Sequence, residues 1–359
     1  MPQPGQGKAH LVGSINLESA EDAFRQTAAH MGSVVKRMPD GETGDRLSFT
    51  ASRARHISEH PDFEPSEPGA ARTLVGPTFR RYKVRAGRSA SDVMFDSLGY
   101  ADDALASYEA FRRLKTEGVI AEDVRFLVAL PTPPPVVGLL IDPPNQLALE
   151  PTIMQALKND ASTLAAQIPP SELAIQWDIA PEIVWLETNG DFPLLPPYWD
   201  NEDLLEGTIR RAADLGDAVP ADVDLGYHLC YGDSGGVHAV EPRDASHLVS
   251  VANQLSTHVS RSLQFIQMPV PVDRDDDAYF KPLKELKLRA ETELYLGLLH
   301  REDMREGAER RIAAARRYVR GFGIATECGM GREERDVILP LMDLHSDVAQ
   351  SLAASSSVV

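Results

Sequence analysis

Short apolar runs alternate with longer amphipathic ones along the whole chain. A strand buried on both faces reads as nearly continuous apolar sequence, while a covering helix shows one apolar face. This alternation is therefore the pattern of a parallel sheet wrapped in helices. Apolar runs predict eight strands, at 10–15, 34–39, 124–130, 173–179, 223–230, 263–268, 294–300 and 323–328. Helical periodicity predicts helices at 19–30, 46–59, 102–117, 151–167, 202–215, 242–260, 304–321 and 333–349. Eight strand and helix pairs predict an α/β fold of the closed (β/α)8 TIM barrel type, one domain over 1–359. An open doubly wound sheet would also alternate, but it rarely needs eight units, and no glycine-rich dinucleotide fingerprint follows the first strand.

Three stretches depart from a minimal barrel. Residues 61–99 carry four prolines and then FRRYKVRAG, an alternating run that predicts an inserted hairpin or arm between the second and third barrel units. Such an arm is expected to cover the barrel mouth or to meet a second copy in a homodimer. The run PTPPPVV from Pro131 follows a strand directly and is expected to force an extended turn. The tail 350–359 is small and polar and is expected to fray.

Composition narrows the function. Thirty-six Lys and Arg against 54 Asp and Glu give a formal charge of −18, which repels nucleic acid and anionic membrane surfaces. No apolar run is long enough to span a bilayer, and MPQPGQGKAH holds no hydrophobic signal core, so a soluble cytoplasmic protein is expected. Two cysteines in 359 residues make no disulfide framework; a reducing compartment would leave them as thiols for metal or chemistry.

Active sites of such barrels lie at the C-terminal ends of the strands. That filter returns Gly13 and Ser14, Asp40 and Glu42 in MPDGETG, Thr132, and Asp178 and Glu182 in IQWDIAPE. It also returns His228 and Cys230 in GYHLCYGD, Gln267 in FIQMP, His300 in LYLGLLH, and Glu327 and Cys328 in ATECGMGR. Both cysteines fall on this rim. His228 and Cys230, two apart on a strand, point to the same side, so one metal could reach both. A closed barrel brings the eighth strand within range, and Cys328 would complete an N, S, S set that favours Zn2+. The competing reading is that the cysteines are small buried hydrophobes. Asp178 and Glu182 could equally pair with a rim arginine, and Asp40 or Glu42 could cap a helix while Gly41 and Gly44 serve the turn.

GYHLCYGD resembles the His-x-Cys-Tyr strand of cobalamin-independent methionine synthases, and FGIATECGMGR resembles their strand ending in a Cys-Gly pair. LYLGLLHRED is similar to the segment ending in a histidine beside the substrate, IQWDIAPE to the acidic fourth-strand motif, and HLVGSI to the Val-Gly-Ser start. The resemblance implies the catalytic barrel only, with zinc held by His228, Cys230 and Cys328. The synthases take a further ligand from a glutamate ending the sixth strand; FIQMPVP offers Gln267 there, and a neutral amide is a poor zinc ligand. Glu327 or a water is the other candidate for that position. The DRDDD run of 273–277 reads as a solvated loop.

The resemblance and the donor set together lead to a zinc-dependent methyltransferase. It would move a methyl or other alkyl group from a donor onto a small-molecule thiol activated as a zinc thiolate. His300 would give or remove a proton and Asp178 would hold a cationic part of the substrate. Ser14, Asp40, Glu42, Glu182 and Gln267 would line the substrate site. Two alternatives stand beside it: a zinc-dependent lyase using the metal as a Lewis acid on a carbonyl or alkoxide, and a barrel subunit accepting methyl groups from a carrier protein. Arg80, Arg81, Arg85 and Arg88 could clamp substrate carboxylates, but read more simply as a solvated basic arm.

Overall fold

Eight parallel strands lie where the apolar runs predict them. The computed structural model describes residues 5–66, 80–199, 202–232 and 238–356. In chain order the strands are β1 (Ala9–His10), β2 (Arg37–Pro39), β3 (Phe63–Pro65), β4 (Tyr82–Val84), β5 (Arg125–Pro131), β6 (Leu173–Ile179), β7 (Asp224–Leu229), β8 (Phe265–Pro269), β9 (Glu293–Leu299) and β10 (Phe322–Thr326). All but β3 and β4 form one sheet in the order β1-β10-β9-β8-β7-β6-β5-β2. Parallel bridges from Ala9 to Val35 and from Ser14 to Gly41 close it into a barrel. The Ile15 amide donates to the Gly41 carbonyl at 2.7 Å across that seam.

The helices are α1 (Ala20–Met31), α2 (Ala54–Glu59), α3 (Tyr100–Thr116), α4 (Pro133–Leu140), α5 (Gln146–Gln167), α6 (Pro181–Thr188), α7 (Leu204–Asp217), α8 (Ser246–His258), α9 (Asp277–Phe280), α10 (Met304–Ala315) and α11 (Arg335–Ser356). Among the described residues no helix is long and apolar enough to cross a membrane.

Three expectations need correction. The proline run does not form an extended turn: Pro133, Pro134 and Pro135 open α4. The first turn of a helix has no use for its amide hydrogens, and the fixed proline φ suits it, so prolines start a helix that they would break further in. The first strand is shorter than 10–15, because beyond His10 the chain changes partners and Ile15 bridges Met330 instead. At the other end α11 continues to Ser356, past position 349, with Leu352 buried against the barrel and Ala353 against Gly7. Within 61–99, β3 and β4 pair antiparallel, Phe63 opposite Val84. Residues 67–79 of that arm lie outside the described residues. Arg81 donates to the Gly138 carbonyl at 3.0 Å, Arg85 to that of Pro61 at 2.9 Å, and Arg88 pairs with Asp62 at 2.7 Å. Those three arginines are thus engaged in holding the arm to itself and to α4.

The barrel interior is layered. At the N-terminal ends of the strands Arg37 is clamped between Asp224 and Glu293. Above it lies a floor of Leu127, Ala174, Phe265 and Tyr295, with the His10 ring 5.0 Å from that of Phe265. Next comes a polar layer in which His10 meets Gln176 at 2.8 Å and Gln176 donates to Asp178 at 2.8 Å. Gly226 leaves room for the floor: a Cβ there would lie 2.2 Å from the Phe265 ring. Gly226→Ala is therefore expected to destabilise the barrel by about 1–3 kcal/mol through overpacking, measured by urea unfolding.

Candidate metal centre

β7 carries His228 at its penultimate position and Cys230 just beyond its end, two residues apart and on one side of the strand. The Cys230 amide donates to the Ile179 carbonyl at 2.9 Å, extending the β6–β7 pairing past the strand. Cys328 lies two residues beyond β10, in a turn fixed by the Thr326 hydroxyl donating to the Cys328 carbonyl at 2.8 Å. The three donor atoms all lie within 4.8 Å of one another. Cys230 Sγ is 3.9 Å from Cys328 Sγ, and Cys328 Sγ is 3.7 Å from His228 Nε2. On a tetrahedron with Zn–S of about 2.3 Å and Zn–N of about 2.05 Å, sulfurs sit ~3.8 Å apart and nitrogen ~3.6 Å from sulfur. The two distances made by Cys328 Sγ therefore match a zinc tetrahedron, and two soft sulfurs with an imidazole are the ligand chemistry zinc takes.

The electrostatics couple His228 and Cys328 to each other. The hydrogen bond from Cys230, opposed by burial and then joined by His228, holds the Cys328 thiol well below its ordinary range. Burial would lower His228, but the hydrogen bond and charge of Cys328 and the charge of Asp178 prevail and raise it to about 9. A thiolate at Cys328 is the form in which sulfur ligates a metal.

Gln267 is fully buried and occupied at both ends of its amide. Its Oε1 meets His228 Nδ1, and its Nε2 donates to the carbonyls of Thr326 at 3.1 Å and Glu327 at 3.3 Å. Glu327 turns to His238, at 2.7 Å, and is not among the converging donors. The aspartates of 273–277 lie at the surface, in a loop that ends where Asp277 opens α9; Asp275 pairs with Arg310, Asp276 with Arg274 and Asp277 with Arg317.

Asp178 sits opposite His228 in the β6–β7 register. Burial pushes its carboxyl up to about 7, against the charge of His228 and the hydrogen bond from Gln176. Glu42 faces the same space: burial, then the charges of Asp40 and Asp178, drive its carboxyl well above the ordinary value. Asp40 is engaged locally, pairing with Arg46 at 2.7 Å and accepting from the Glu42 amide at 2.8 Å. Glu182 is buried, and burial pushes it up to about 7; neither of its oxygens makes a well-formed hydrogen bond among the described residues. His300 is buried and its Nε2 meets the Val270 carbonyl at 2.8 Å, while burial lowers its pKa. Ser14 lies under the loop carrying Cys328: a Cβ at Gly329 would come 2.4 Å from its hydroxyl and one at Gly331 2.6 Å, so both glycines are required by close approach.

Sequence reasoning missed Gln176 and His10, which link Asp178 to β1, and it missed His238 beside Glu327. Gln176 had a signal, since it precedes Asp178 by two on a strand and shares its face. His238 had none: a loop histidine gives no hint of a partner some 90 residues away.

No family model matches this chain, and no curated protein matches it. Solved structures do. A B12-independent methionine synthase from a Shewanella species, in complex with selenomethionine, aligns with a TM-score of 0.59 at 14% identity, covering 98% of each chain. A putative vitamin-B12 independent methionine synthase from Listeria monocytogenes aligns with a TM-score of 0.56 at 13% identity, covering 97% of this chain and 99% of that one. At these identities the likeness is one of fold: this chain has the barrel fold of those two structures.

Proposed function

We propose that this protein is a zinc-dependent transferase that moves a methyl or other alkyl group onto the sulfur of a small thiol. One observation carries the reading: an imidazole and two thiols from separate strands converge, at zinc-ligand spacing, at the mouth of a barrel whose fold is that of B12-independent methionine synthases. His228, Cys230 and Cys328 would hold the metal. Zinc bound there would supply a Lewis acid that lowers the pKa of a substrate thiol, so that a sulfur nucleophile exists at neutral pH.

The chain's own residues then bind and orient the substrate. Asp178 and Glu42, forced together in a buried mouth, are costly as bare carboxylates, and a substrate ammonium would relieve that cost. Glu182 offers a third carboxyl in the same condition. Ser14 presents a hydroxyl beneath the Cys328 loop. His300 donates Nε2–H to the Val270 carbonyl, which leaves the lone pair on Nδ1; with burial keeping the ring neutral, Nδ1 is the atom at which a proton would be taken up or returned. The reading also needs both thiols reduced, in keeping with a cytoplasmic protein.

Protein purified without added zinc should contain about one zinc per chain, and zinc X-ray absorption should gain one sulfur neighbour when a substrate thiol is added. Metal-free protein with full activity would falsify the proposal. A carbonyl ligand adding oxygen in place of sulfur would favour the lyase. Turnover only after addition of cell extract would favour a carrier-dependent barrel.

A further inference from the structure

Gln267 stands where the resemblance to the synthases leads one to expect a ligand, yet its amide is engaged by His228 Nδ1 and by two backbone carbonyls. Its contacts determine its orientation. Two backbone carbonyls, those of Thr326 and Glu327, face one end of the amide, and only the NH2 group can donate to them. The oxygen must therefore face His228. An amide oxygen only accepts, so His228 Nδ1 must be the donor in that contact. With the Nδ1 proton fixed by that contact, Nε2, which lies 3.7 Å from Cys328 Sγ, is the nitrogen that can lose its proton and offer a lone pair to a metal.

We propose that Gln267 is a positioning residue of the metal centre: its amide locks His228 in the Nδ1–H form, so that Nε2 is offered to the metal, and ties that ring to the backbone leading into Cys328. The proposal rests on the zinc reading above and adds how the donor set is held. A glutamate at 267 would accept from His228 but would set a carboxylate oxygen against two carbonyl oxygens. A leucine would leave the Nδ1 proton and both carbonyls without that partner in a fully buried layer. The neutral amide is the group that satisfies all three neighbours at once, and it does so without adding charge to the centre.

Zinc affinity, read by competition with a chromophoric chelator, tests this across wild type, Gln267→Leu, His228→Ala and the double variant. Gln267→Leu is expected to weaken zinc binding by about 10–100-fold, the range for lost outer-sphere partners of a metal-bound histidine. Because Gln267 acts through His228, the same change in the His228→Ala background should alter affinity by less than about 2-fold. Should Gln267→Leu fail to fold, 15N-histidine spectra of zinc-loaded wild type decide the matter, with a slowly exchanging proton expected on Nδ1 and the metal on Nε2. Metal on Nδ1, unchanged affinity in Gln267→Leu, or an undiminished loss in the His228→Ala background overturns the proposal while leaving the zinc reading intact. A wild-type protein that takes up no zinc overturns both.

Discussion

Replacing Cys328 with serine is expected to strip the protein of zinc while leaving the barrel folded. Cys328 is the donor whose sulfur meets both others, at 3.9 Å from Cys230 Sγ and 3.7 Å from His228 Nε2, and it is the thiol that the hydrogen bond from Cys230 and the neighbouring His228 draw below its ordinary range. A serine hydroxyl at neutral pH is a protonated, hard oxygen and a poor substitute. If apparent zinc binding of some 10–16 kcal/mol is shared among four ligands, losing one costs about 2.5–4 kcal/mol. That is a fall in affinity of roughly 10²–10³-fold. After dialysis against a mild chelator, metal analysis should find about one zinc per chain in wild type and almost none in the variant. Cys230→Ser should behave alike. The far-ultraviolet circular dichroism of both should match wild type, because these thiols sit at the mouth, above the aromatic floor that packs the barrel. Wild-type zinc content in both serine variants would show that the metal is held elsewhere.

The sequence carried the barrel well because its signal is repeated eight times. The run LAIQWDI is buried at every position but the half-buried Asp178, as a strand covered on both faces should be, and it matches β6 at both ends. Closure then followed from counting, since eight parallel strands with their helices have one common solution. His228 and Cys230 were legible because alternation fixes which side they face, and Cys328 because a strand end is a position that can be read. What stayed hidden depends on contacts between strands. That Gln267 meets the ring of His228 requires the β7–β8 register, which pairs these residues and which no local pattern specifies. The proline run misled for another reason: Pro133 to Pro135 break helices in the interior and start them at the first turn, and sequence alone did not say which position they held. The acidic mouth was visible as residue types, but the burial that raises Asp178 and Glu182 was not.

At the opposite end of the barrel, Arg37→Met is expected to cost about 3–5 kcal/mol of folding stability, the usual penalty for breaking a buried ion pair from one side. The Arg37 guanidinium is only 4% exposed. It donates to Asp224 at 2.8 and 3.0 Å and to Glu293 at 2.9 Å, and lies 4.3 Å over the Phe265 ring. Methionine fills much of the same volume, so the change removes charge more than packing, and among the described residues it leaves the buried Glu293 carboxylate with Lys36 and the Tyr295 hydroxyl as side-chain partners. Glu293 sets the pH dependence. Burial would raise its carboxyl, but the charge of Arg37 and the hydrogen bonds from Lys36 and Arg37 prevail and hold it below the ordinary 4.5. A folded-state pKa below the unfolded one means that the wild-type stabilisation is fully present above pH 4.5 and fades as pH falls through the lowered value. In Arg37→Met the burial contribution wins and the carboxyl rises instead, so the variant is penalised most where an unfolded glutamate is charged. The gap between wild type and variant, read by urea unfolding, should therefore be widest near neutrality and narrow below about pH 4. Adding Glu293→Gln should recover part of the loss by removing the stranded charge. A gap that does not change with pH would assign the loss to packing over Phe265 and not to the ion pairs. Zinc binding in the surviving folded fraction should be unaltered, because the floor of Leu127, Ala174, Phe265 and Tyr295 separates this charged plug from the donors at the mouth.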